Sequence, residues 1–188
     1  LPICDALGMF ATGVAIVTAR SENGQPLGMT INSFNSVSLE PPLVLWSLGT
    51  QANSFPLFHA GSHYVINILA AEQLDLCKRF ATLKGDRFAN VDYTLSPTGL
   101  PILAQSLAWF ECHNRSRYDE GDHVIFVGEV ERCGVVDAHA AHAAQRRRPR
   151  GRRIRGHLHA GCNRAAEEFT LGGHHIHADR RSEVHHDG

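Results

Sequence analysis

The sequence predicts a mainly β protein, a small closed or split antiparallel barrel with a few short helices. Three observations carry this reading. Period-two alternation runs through much of residues 1–138, helical patterns are few and short, and no G-x-G-x-x-G follows a strand. The last point excludes a doubly wound dinucleotide-binding sheet.

Taken in order, Val14, Ile16 and Thr18 interleave with Gly13, Ala15 and Val17, as in a strand with two distinct faces. Gly28 to Glu40 (GMTINSFNSVSLE) is a polar stretch that reads as a turn, because Thr, Asn and Ser hydrogen-bond their own backbone. Leu43 to Leu48 is a nearly continuous apolar strand. A short helix follows at Asn53 to His59, carrying Phe55 and Phe58 and stopping at Gly61. His63 to Leu69 sets Tyr64, Ile66 and Ile68 on one face against Val65, Asn67 and Leu69. Glu72 to Ala81 spaces Leu74, Cys77 and Ala81 along one helical stripe, with Leu76 and Phe80 beside it. Ser106 to Arg117 and His123 to Val136 are two long strands, and Tyr118-Asp119-Glu120-Gly121-Asp122 between them is a hairpin signature.

The formal charge of −1 conceals a division of the 188 residues into two kinds of sequence. Residues 1–138 hold 8 Lys and Arg against 14 Asp and Glu, a net −6, whereas residues 139–188 hold 10 against 5, a net +5. Nine of the 13 histidines lie in the second part, without hydrophobic periodicity. We therefore read 1–138 as one folded domain and 139–188 as an atypical Arg/His-rich tail, irregular or disordered, with the Arg/His/Ala/Gly bias of a GC-rich coding sequence read out of frame. The arginines of 146–155 have no interleaved aromatic residues, so no specific nucleic-acid partner is expected. His174-His175-Ile176-His177 lacks the surroundings of a physiological metal site, so no metal is expected. The five cysteines are scattered without C-x-x-C spacing and read as reduced, mostly buried thiols. No apolar stretch is long enough to span a bilayer and no secretory pattern opens the chain, so the expected location is the cytoplasm, away from membranes.

The polar stretch is also the best candidate for chemistry. Thr30, Asn32, Ser33, Asn35, Ser36 and Ser38 crowd hydroxyl and amide groups between apolar runs, which suits a turn that hydrogen-bonds a planar anionic ligand such as a flavin nucleotide. Together with Phe10-Ala11-Thr12-Gly13-Val14-Ala15-Ile16-Val17-Thr18 before it and Gly121-Asp122-His123 after it, this stretch resembles the flavin reductase family over about residues 5 to 136. These are the split-barrel NAD(P)H:flavin oxidoreductases that serve two-component flavin monooxygenases.

The resemblance implies an FMN-binding split barrel that uses NADH or NADPH to reduce free or bound FMN or FAD. Hydride passes directly between the two cofactors, so no catalytic side chain is implied. Thr30, Ile31, Asn32 and Ser33 correspond to the flavin-ring segment. Ser47, Leu48, Ser54 and Phe55 correspond to positions along the ribityl chain and phosphate, with Arg79 as the cationic phosphate partner. His123 corresponds to the residue that receives the nicotinamide dinucleotide. The resemblance further implies a homodimer, with Leu43 to Trp46 as a buried surface, and a separate monooxygenase partner. The family's final strand has no counterpart after Val136, which leaves two alternatives: a flavin-binding protein that reduces little or nothing, or a flavin-dependent oxidase on the same barrel.

Overall fold

A computed structural model of the chain describes residues 2–10, 12–82 and 84–135. The reading of 139–188 as an irregular tail lies outside those residues. The described elements run α1 (Pro2–Gly8), β1 (Ala15–Arg20), β2 (Pro26–Ile31), β3 (Asn35–Leu39), β4 (Pro42–Gly49), α2 (Phe55–Ala60) and β5 (His63–Ile68). After a 3-10 turn at Ala71–Gln73 come α3 (Leu74–Thr82), β6 (Tyr93–Leu95), β7 (Pro101–Leu103), β8 (Ala108–Glu120) and β9 (His123–Val135). Among the described residues no helix is long and apolar enough to cross a membrane.

Seven strands form one antiparallel sheet in the order β2-β1-β5-β8-β9-β4-β3. Its two edge strands, β2 and β3, are neighbours in the chain, joined by only three residues, 32–34. Three linking residues reach at most roughly 14 Å, whereas the edges of a flat seven-strand sheet stand about 29 Å apart. The sheet must therefore curl until its edges face each other, which makes a barrel with an open seam. The core confirms the curl: Val17 of β1, Met29 of β2, Trp46 of β4, Tyr64 of β5, Cys112 of β8 and Phe126 of β9 share one buried cluster. Trp46 stacks on Phe126 at 4.6 Å and meets Phe58 and Tyr64 edge-on at 5.3 and 5.4 Å.

Alternation sends the other residues of these strands outward. On β1, β2 and β5 that outer face is covered: Ile16 packs with Phe80 of α3, Phe88 and Leu103. A polar pin holds the cover down. Asn67 Nδ2 donates to the Ile16 carbonyl and to Thr18 Oγ1, both at 3.1 Å, Asn67 Oδ1 accepts from the Leu103 N–H at 2.9 Å, and Thr18 Oγ1 donates to the Pro101 carbonyl at 2.5 Å. All these groups are buried, so the network fixes β7 on the sheet by leaving no polar atom of the pin unsatisfied.

The structure departs from the sequence reading in several places. The polar stretch 28–40 is mostly strand: β2 takes its start and β3 its end, leaving a turn of three residues. A polar run makes an acceptable strand here because β3 is an edge that pairs only with β4. The β8–β9 hairpin is tighter than its signature, with Glu120 paired to His123 and Gly121 at φ 63°, where glycine is favoured. Strands β6 and β7 and helix α1 lack legible periodicity because they are too short for it. Cys77 is disulfide-bonded, against the expectation of reduced thiols, while Cys112 and Cys133 are free. Scattered spacing says nothing of which cysteines the fold brings within bonding reach. Cys77 and Cys112 are buried and Cys133 is exposed, in keeping with mostly buried sulfurs.

Candidate functional site

The seam between the edge strands is where the sequence-expected ring segment lies. Ser33, in the three-residue turn, grips β4: its Oγ accepts the Ser47 N–H at 2.9 Å and donates to the Ser47 carbonyl at 3.2 Å. Ser33 and Ser47, far apart in sequence, are thus brought together. Asn32 beside them is half-buried, and its side chain has no hydrogen-bond partner among the described residues. The other ring-segment residues are spent on structure. Thr30 is buried and donates to the Cys77 carbonyl at 2.7 Å, and Ile31 belongs to the core. Leu48 is likewise a core side chain, so only its backbone is available outside.

A cleft of about 460 Å³ opens at the other end of β2, lined by Gly28, Asn53, Ser54, Lys84, Arg87 and Phe88 among others. Ser54 precedes α2 without capping it, and its hydroxyl lies 3.5 Å from Met29 Sδ. Helix α2 has only six residues, too few for a strong dipole, so the positive charge in this cleft comes from Lys84 and Arg87, set against one carboxylate, Asp86, whose Oδ1 accepts the Phe88 N–H at 2.9 Å. Arg87 donates to the Gly28 carbonyl at 2.9 Å, and burial lowers its pKa from the ordinary guanidinium value. An anion beside it would offset that desolvation. Gly28 is required by space: a Cβ there would stand 2.7 Å from the Phe80 ring. Phe55 does not line the cleft; it packs on the core and against the His59 ring at 5.1 Å.

Arg79 is not brought to this cleft. It donates to the Ala89 carbonyl at 2.6 Å and lines a separate cleft of about 340 Å³ with Glu72, Asp75 and Asp92. Acidic neighbours make that second cleft unsuited to a phosphate.

His123 opens β9 opposite Gly49 of β4, and Ile125 stands opposite Ser47. Since Trp46, Leu48, Val124 and Phe126 fill the core, Ser47 and His123 share the outer face of the sheet. The His123 ring is one-third exposed, with Nδ1 2.7 Å from Asp122 Oδ1. The described arrangement thus holds a polar seam, a cationic cleft and a histidine, with β2 and β4 connecting them.

Comparison with known proteins identifies the family. A model of the flavin reductase-like domain matches residues 7–151. The chain belongs to that family. It is 47% identical over 133 residues to the FMN reductase (NADH) SmoA of Agrobacterium fabrum, covering 71% of this chain and 75% of SmoA. It is 45% identical over 126 residues to the stachydrine N-demethylase reductase subunit Stc3 of Rhizobium meliloti, covering 67% of this chain and 55% of Stc3. Among solved structures, the NADH:FAD oxidoreductase SgcE6 of Streptomyces globisporus, in complex with NAD and FAD fragments, aligns with TM-score 0.67 and 39% identity over 71% of this chain and 80% of its own. A putative oxidoreductase of Sinorhizobium meliloti aligns with TM-score 0.71 and 41% identity, covering 72% of this chain and 48% of that one. The flavin reductase-like fold is therefore shared by proteins longer than the matched region.

Two cleft residues, Lys84 and Arg87, escape the sequence reading of this flavin reductase-like domain. A signal for them exists. Asp86-Arg87-Phe88 repeats the Arg-Phe pair of Arg79-Phe80, and both phenylalanines are buried and meet edge-on at 5.0 Å. Sequence alone does not say which arginine turns toward Gly28.

Proposed function

We propose that this chain uses NADH to reduce FMN or FAD at the barrel seam, and that the reduced flavin serves a separate flavin monooxygenase. The observation that carries this placement is that β2 runs from the cationic cleft at Gly28 to the polar seam at Asn32 and Ser33. Five residue steps along a strand cover roughly 16 Å, a span that suits a flavin mononucleotide laid with its phosphate in the cleft and its ring at the seam. The naming of relatives as reductases favours this over the oxidase and non-reducing readings.

The flavin supplies the hydride acceptor and the dinucleotide the donor. The protein's work is to hold and align. Lys84, Arg87 and Ser54 neutralise and hydrogen-bond the phosphate. Asn32 offers a side-chain amide, acceptor and donor together, to the edge of the ring. Ser33, tied to the Ser47 backbone, sets the shape of the turn rather than bonding the ligand through a free hydroxyl. His123 meets the nicotinamide dinucleotide on the outer face, and stacking the two rings there excludes water from the transfer.

The same face supports a homodimer. Leu43, Leu45, Ile125 and Val127 are half-buried and Tyr118 of β8 beside them is exposed, so β4 and β9 present an apolar outer surface that no other described element covers. A second copy buries it and walls the flavin. Supply of NADH places the enzyme in the cytoplasm.

Ser33→Trp tests the ring placement. Flavin affinity, read by fluorescence titration, should fall by more than about tenfold with the far-ultraviolet circular dichroism unchanged; unchanged affinity would refute it. His123→Ala tests the reductant side: KM for NADH should rise about tenfold while flavin affinity holds. Equal losses for both ligands would assign His123 to the hairpin's structure.

A further inference from the structure

The contact between Asp122 and His123 joins two largely solvent-facing side chains. Their exposures are 79% and 34%, and a pair so exposed adds little to fold stability. The surroundings nevertheless hold it in place. The Asp122 carbonyl accepts the Thr50 N–H at 2.9 Å and the Thr50 hydroxyl at 3.2 Å, which clamps the turn to the end of β4. Gly121 supplies the positive φ that lets the chain reverse immediately before it. Across the hairpin, Glu120 pairs with His123 and Asp119 with Val124, yet among the described residues only the Asp122 carboxylate reaches the ring.

An ionised carboxylate has no proton to give, so at 2.7 Å the hydrogen must be on Nδ1. The bond to His123 also holds the Asp122 carboxyl below its ordinary pKa, so it stays ionised in the working range. Nε2, on the far edge of the ring, has no partner among the described residues.

We propose that Asp122 is a positioning residue: it locks His123 in one rotamer and, when the ring is neutral, in the Nδ1–H tautomer, so that Nε2 meets the reductant as a hydrogen-bond acceptor. This rests on the reading that His123 contacts the nicotinamide dinucleotide. An acceptor at Nε2 matches the amide N–H of a nicotinamide carboxamide and gives nothing to an unprotonated phosphate. The lock therefore favours the carboxamide end of the reductant over its pyrophosphate.

The test combines histidine ¹⁵N NMR, recorded where the ring is neutral, with steady-state kinetics varying NADH at saturating FMN. In the native enzyme the neutral ring carries its proton on Nδ1. Asp122→Ala should move the proton mainly to Nε2 and raise KM for NADH by roughly fivefold, one hydrogen bond's worth of alignment. Flavin affinity should stay within about twofold, because the lost contact touches only the reductant. Asp122→Asn offers donor and acceptor together and should give a mixture of tautomers and a smaller rise. A native ring already protonated on Nε2, or an Asp122→Ala enzyme with an altered tautomer and unaltered KM, would overturn the proposal. Should His123→Ala itself leave KM for NADH unchanged, the reductant contact falls first and the proposal with it. A loss with His123→Ala but none with Asp122→Ala overturns the positioning role alone.

Discussion

The outer face of the sheet has two halves that differ in what lies over them. On β1, β2 and β5 it is roofed by α3 and β7, which bury Ile16 and Val65 completely and pin themselves down through Asn67. On β4 and β9 the outward residues Leu43, Leu45, Ile125 and Val127 are just as apolar but only half-buried. Strands that read as continuous hydrophobic runs are those covered on both faces, and β4, unbroken from Leu43 to Trp46, is such a run. Among the described residues no element lies over the outer side of β4. The proposed ring seam and His123 open on this side, whereas the roofed half contributes to the cleft through Gly28, Lys84 and Arg87.

The comparison can be broken first at the roof. Phe80 is wholly buried between Gly28, Ile16 and Phe88, so Phe80→Ala should cost about 3–5 kcal/mol in urea unfolding. A cost below about 1 kcal/mol would show that α3 is not integral to the fold. Gly128→Ala acts on the core beneath the bare half. The added Cβ would stand 2.2 Å from Tyr64 Oη and 2.9 Å from Cys112 Cβ, so calorimetry should show a loss of about 1–3 kcal/mol from overpacking.

The roof is also fastened by a carboxylate, which gives it a pH dependence. Burial pushes Glu111 up, but hydrogen bonds from Ser96, Thr98 and Arg132, with the charge of Arg132, outweigh it and hold the carboxyl below its ordinary pKa. A depressed folded pKa means that this stabilisation is present above the unfolded value, roughly 4.3, and is lost as pH falls through the folded one. Native protein should therefore lose stability below about pH 4 in a component that Glu111→Gln lacks; identical pH profiles of melting temperature would refute it. Leu45→Asp, on the bare face, should give the smallest change in protomer stability, under about 1 kcal/mol. It should nevertheless convert a dimer to a monomer by light scattering. A monomeric native protein would remove the need for an external cover.

The halves also differ in how legible they were. Alternation located β1, β5, β8 and β9, a nearly continuous apolar run located β4, and helix α3 declared itself through Leu74, Cys77 and Ala81. The roof's short strands, β6 and β7, are three residues each, too brief for any period to show, and their place is set by Asn67 from another strand. At the candidate site, Asn32 and Ser33 are legible as polar residues between apolar runs, whereas Ser47 and His123 enter only through the family resemblance. The cleft was only half legible. It is assembled from 26–28, from Asn53, Ser54 and Leu57, and from 84–88, and local sequence could not decide between Arg79 and Arg87, because helix register and a glycine in β2 settle which guanidinium reaches the opening.

The Ser33–Ser47 stitch makes the barrel seam observable in time. The Ser47 amide proton is held by a side-chain oxygen of the turn that joins the two edge strands, not by a strand ladder bond. Its exchange with solvent deuterium therefore clocks local opening of the seam rather than unfolding of the sheet. A ligand bridging the turn and β4 slows that clock by the factor 1 + [L]/Kd. One backbone amide would thus report occupancy of the proposed flavin site in the absence of any turnover.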